Sequence, residues 1–118
     1  MSDLLWNRVR QMEGKDLYTL SQHKGFTIVA VDDNQAELRL QSTGGRALVR
    51  RNFLEPMWAD LRRDQRLILA EWQASTTLPG RSWVTKYAAP ILAELDEVRV
   101  AGDGIDLALV LIGSAADS

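Results

Sequence analysis

The sequence predicts a single α+β domain: an N-terminal helix, a small antiparallel sheet, two to three helices and a C-terminal β-hairpin. Three observations carry this prediction. Between residues 17 and 50, four short stretches of alternating or β-branched residues are separated by polar turns. Between residues 54 and 95, apolar side chains recur at helical spacing. Finally, two apolar runs, Val98 to Ala101 and Ile105 to Ile112, flank Gly102-Asp103-Gly104 in the pattern of a hairpin. With 118 residues and 46% hydrophobic composition, the chain suits one compact core, and the reading assigns residues 1–113 to one domain and 114–118 to a frayed tail.

Each element has a local cause. Ser2 can cap a helix with Asp3 near its positive end, Leu5, Val9 and Met12 line one face, and Gly14 ends it, which predicts a helix over 3–13. Leu17 to Leu20, Phe26 to Val31, Ala36 to Gln41 and Arg46 to Arg50 read as antiparallel strands. The turns between them are 21–25, 32–35 and 42–45. Asn52 and Glu55 have the spacing of a capping box, with Leu54, Trp58 and Leu61 as the stripe of a helix to about Asp64. Pro56 falls in its first turn, where a missing amide hydrogen costs least. Leu67 to Gln73 is uniformly apolar at its start and reads as helix over strand. Trp83 to Leu95 has helical composition, with Pro90 as a kink or a restart. The six apolar residues from Leu107 to Ile112 need cover on both faces, so that strand is expected to be central or capped by a second copy of the chain.

Composition bounds the function. The absence of cysteine excludes a disulfide framework and Cys-based zinc sites. With no charged leader and no apolar run of spanning length, the expectation is a cytoplasmic protein without a membrane segment. Charge is polarised. Seven of the fourteen Lys and Arg residues fall between Arg39 and Arg66, all arginine, and set against Glu55, Asp60 and Asp64 they give that stretch a net +4 in a chain of net −2. From Glu94 onward six acids oppose Arg99 alone.

No catalytic residue, metal ligand or cofactor is assigned. Asp16 with Glu37-Leu38-Arg39 loosely resembles a nuclease carboxylate pair. Arginine cannot act as a base, however, and solvated hairpin carboxylates are the commoner reading. His23 stands in a turn as the one histidine, and Ser42-Thr43-Gly44-Gly45-Arg46 lacks the Gly-Lys-Ser/Thr ending of a phosphate-binding loop. Trp6 and Trp58 belong with the core, whereas Trp83, beside Arg81 and Lys86 after Pro79-Gly80, is the candidate exposed aromatic.

The order Trp6, Gly14-Lys15, Leu17, Thr19-Leu20, Phe26, Val31, Arg46, Val49, Arg51, Trp58, then Tyr87-Ala88-Ala89 leading to Ile91-Leu92-Ala93-Glu94-Leu95, resembles a family of small bacterial domains of unassigned role. Such domains occur as segments of predicted restriction or defence proteins. The resemblance covers most of residues 6–98 and implies an accessory role in a nucleic-acid-directed or defence system, with no catalytic residue to carry over. Pro90 and the added strand after Ile105 depart from the pattern.

Three short helices followed by a hairpin also resemble a winged helix, whose third helix would enter the major groove, but an acidic wing would repel phosphate. The expectation is therefore a non-catalytic binding module. DNA or RNA would meet Arg46, Arg50, Arg51, Arg62 and Arg63, with Arg81, Trp83 and Lys86 as further contacts. The alternative is a homodimeric protein-interaction adaptor, paired through the C-terminal strand.

Overall fold

A computed structural model of the chain describes residues 3–75 and 81–112, without the side chains of Asp3, Ser75 and residues 81–84. The elements run α1 (Asp3–Arg10), β1 (Asp16–Tyr18), β2 (Gly25–Val31), β3 (Gln35–Leu40), β4 (Arg46–Arg50), α2 (Arg51–Asp64), β5 (Arg66–Ile68), α3 (Leu69–Ser75), α4 (Arg81–Ala93), β6 (Val98–Ala101) and β7 (Ala108–Leu111). The α+β class is as the sequence predicts. Ser2 and the tail 114–118 lie outside the described residues.

The first four strands form an antiparallel meander, β1-β2-β3-β4. Alternation gives it a dry face of Leu17, Phe26, Ile28, Ala36, Leu38, Ala47 and Val49, and a wet face of polar and charged residues. The register with β3 shifts between Ile28 and Ala30, leaving Val29 as a bulged, partly exposed residue. Beside the bulge, the chain after α1 docks on β2: Gly14 N–H donates to Ile28 O, and Ile28 N–H donates to Lys15 O. Gly14 has φ +89°, so the turn that ends α1 needs a residue tolerant of the left-handed region.

The second half runs helix, strand, helix, helix, strand, strand, with its three-stranded sheet ordered β5-β7-β6. This is the chain order of a winged helix. Both halves share one core, in which α4 is the central member: Thr85, Tyr87, Ala88, Ala89, Ile91 and Leu92 are all buried, between the dry face of the meander and the helices of the second half. The helix continues through Pro90 without a break. Its alanines leave room for the sheet to approach.

Three expectations need correction. The helix α2 starts at Arg51, one residue before the proposed capping box. Its N-cap position is Arg50, which makes no side-chain cap, and Glu55 accepts from the Arg51 guanidinium at 2.8 Å (Nε to Oε2). Leu67 to Gln73 is not one helix. Arg66–Ile68 pairs with β7 and only then does α3 begin, because β7 offers a partner edge that local periodicity does not reveal. Ile105 and Asp106 form a 3₁₀ turn, so the last strand starts at Ala108. The C-terminal strand is central, the first of its two expected arrangements: β5 takes one edge and β6 the other.

Candidate nucleic-acid interface

The wet face of the meander carries its own cationic line. The register places Asp16, Thr27, Arg39 and Arg46 side by side across the four strands, and Arg46, Leu48 and Arg50 share one face of β4. The ends of β4, Arg46 and Arg50, therefore lie ~13 Å apart. Arg39 directly faces Arg46, a like-charge pair that is mildly unfavourable by itself and becomes favourable once an anion lies over it. The two carboxylates on this face are engaged. Asp16 accepts from the Thr27 hydroxyl at 2.6 Å, and Glu37 pairs with Arg46 at 3.2 Å in an exposed geometry of little strength. Tyr18, 57% exposed at the edge, lies with Gln41 over Gly25, where any added Cβ would meet the Gln41 carboxamide.

At the opposite end of the sheet, the β2–β3 turn and the start of α2 enclose an open polar cleft of about 520 Å³ lined by Asp32, Asn34, Gln35, Arg50, Asn52 and Glu55, with Arg51. Both carboxylates in it are occupied. Asp32 accepts from the amides of Asn34 and Gln35, and Glu55 from Arg51. Arg51 is further committed to Asp33 O and lies 5.7 Å from the Trp6 ring centroid, a cation–π contact that makes it structural. Arg50 is exposed, and no ion pair holds it among the described residues. It sits at the positive end of a 14-residue helix with no acid in its first turn, where a cation is unfavourable unless an anion joins it.

The arginine-rich segment is thus two groups. Arg62 and Arg63 lie at the far end of α2, about 20 Å from Arg50. There Arg62 covers the Trp58 ring at 6.0 Å, and Arg63 is shared between Asp60 at 3.1 Å and Asp64 at 3.0 Å. The hydrogen bond from Arg63 holds the Asp64 carboxyl below its usual range. Lys86 stands on α4 beside the β1–β2 turn, remote from the Arg50 cleft. The side chains of Arg81 and Trp83 lie outside the described residues. Sequence reasoning passed over Arg39 and Tyr18 as contact residues. Their outward direction follows from strand alternation, but the juxtaposition of Arg39 with Arg46 needs the register.

No carboxylate–histidine cluster able to hold a metal ion occurs among the described residues. No described helix is long and apolar enough to cross a membrane. No family model, curated protein or solved structure matches the chain.

Proposed function

We propose that this chain is a non-catalytic nucleic-acid-binding module that holds a sugar–phosphate backbone across the wet face of its meander. The observation that carries this reading is the line Arg39–Arg46–Arg50, which ends at the uncapped N-terminus of α2 while Asp16 and Asp32 are held by other groups and Glu37 makes only a weak exposed pair with Arg46. Guanidiniums and helix amides are suited to phosphate oxygens, and exposed Tyr18 offers a ring on which an unpaired base can stack. Single strands are therefore the favoured ligand. The winged-helix surface is not used in the usual way: from Thr85 to Leu92 every residue of α4 except Lys86 is buried, and the turn corresponding to the wing carries Asp103 and Asp106. The resemblance to small bacterial domains of restriction and defence proteins supports an accessory role in such a system.

Fluorescence anisotropy with labelled single- and double-stranded DNA and RNA, over a series of salt concentrations, tests the reading. Replacing Arg39, Arg46 and Arg50 with Glu should abolish binding, and each single Arg→Gln change should flatten the log–log salt slope by about 0.7–0.9. Arg63→Gln should leave it unchanged. No binding by the unmodified chain at about 50 mM salt, where the electrostatic contribution is large, overturns the proposal.

A homodimeric protein-interaction module is the second reading, favoured by the open edge of β6. There Val100 is partly exposed, and Ile68, Val110 and Ile112 are only half-buried on the outer face of the same sheet. Pairing of two β6 edges would bring together the two copies' small sheets. Doubling of the mass in light scattering, lost on Val100→Lys, would establish it.

A further inference from the structure

A small cavity lies between the two halves of the molecule. It has a volume of about 290 Å³ and is formed where the β1–β2 turn, α3, α4 and the turn before β7 converge. Leu20, Leu69 and Leu107 give it apolar walls, and Lys86 reaches it from α4. No carboxylate lines it among the described residues. Among the described residues, Lys86 forms no ion pair, so its ammonium is the one formal charge at this site. Thr19, 3% exposed, is also in the lining. Its Oγ1 accepts the Lys24 amide hydrogen at 2.9 Å, which leaves its own O–H for another acceptor.

We infer that this cavity binds a small organic monoanion with an apolar body, of the size and chemistry of an aromatic or short-chain carboxylate. The volume is at the lower end of ligand pockets, about 300–1,000 Å³, which suits a small ligand. One lysine without a competing acid selects a single negative charge, the leucines select a hydrocarbon body, and the Thr19 hydroxyl supplies a second donor to the anionic head. Because the lining comes from both halves, occupancy would clamp the meander to the winged-helix half and stabilise the folded state by mass action. The site is at the opposite end of β2 from the Arg50 cleft, roughly 20 Å away along a seven-residue strand, so its test is independent of nucleic-acid binding.

The experiment is an amide NMR titration of the full chain with sodium benzoate, alongside benzyl alcohol and inorganic phosphate. Benzoate should give saturable shifts at Thr19–Gln22, Ala70, Gln73 and Lys86, at millimolar concentration. Benzyl alcohol, without the charge, and phosphate, without the hydrocarbon, should each bind at least about tenfold more weakly. Lys86→Gln, an exposed position, should weaken benzoate about tenfold, and Ala70→Trp at the exposed rim should block it. Absence of saturable shifts up to about 10 mM overturns the inference. Equal affinity for benzyl alcohol or phosphate, or an unchanged affinity in Lys86→Gln, overturns it too. Should Ala70→Trp fail to fold, Lys86→Gln decides alone.

Discussion

The rings of Phe26 and Tyr87 meet edge to face, with centroids 5.4 Å apart and planes at 87°. Phe26 is on the dry face of the meander and Tyr87 is on α4, so this pair joins the two halves of the fold at their centre. The same contact holds the buried face of α4 against the sheet.

Phe26→Ala should therefore cost about 3–5 kcal/mol in urea unfolding, the usual loss for a fully buried phenyl ring with its cavity left behind. The double-mutant cycle with Tyr87→Ala should return a coupling of about 0.5–1.5 kcal/mol. A single cooperative transition should persist in every variant that folds. Two separable transitions would show that the halves fold independently and that the pair does not unite them.

The second prediction concerns Arg8 and Glu97, which form a two-pronged pair at 2.7 and 2.6 Å between α1 and the segment after α4. The hydrogen bond from Arg8 holds the Glu97 carboxyl below its ordinary 4.5, against the opposing effect of partial burial. A carboxyl with a depressed folded pKa contributes its stability in full above its unfolded value and loses it as pH falls through the lower, folded value. The contribution is thus complete above about 4.5 and is lost in more acid solution. Arg8 is shifted upward and does not titrate in this window. Glu97→Gln should cost on the order of 1 kcal/mol at neutral pH and flatten the stability–pH curve below 4.5. Asp64→Asn, which removes an exposed partner of Arg63, should change the neutral-pH stability little. Parallel stability–pH curves for Glu97→Gln and the unmodified chain would refute the assignment.

The strands of the meander were legible because each has a dry face that alternates with period two, and because each turn between them contains Gly, Asn or Asp. Ser42 to Gly45 is such a turn, with Gly44 at φ +73°. The split of Leu67 to Gln73 was not legible, since what makes Arg66 to Ile68 a strand is its pairing with Ala108 to Val110, forty or more residues away. That same non-local pairing puts β7 in the middle of its sheet. Asn52 and Glu55 misled because their spacing serves capping boxes and i,i+4 neighbours of Arg51 equally well, and the ion pair prevailed. As for the site, the excess of arginine was visible in the sequence but its division was not. Arg50 and Arg63 look like members of one cluster until α2 holds them apart.

The last prediction separates the two faces of β7. Leu109 lies between Leu67 and Val100 in the register and is fully buried; Val110 lies between Arg66 and Arg99 on the outer face and is half-buried. Leu109→Lys places an unpaired ammonium in the core and should abolish folding, with loss of soluble protein. Val110→Lys should fold, although it adds a third cation between two guanidiniums. Val110→Glu should be the more stable of the two by about 0.5–1 kcal/mol, because a carboxylate there faces Arg66 and Arg99 on adjacent strands. Thermal unfolding of the three variants orders them directly. If both Val110 variants were as damaging as Leu109→Lys, the outer face would have to be covered in solution. The unmodified chain would then show twice its 13.2 kDa mass in light scattering if the cover is a second copy.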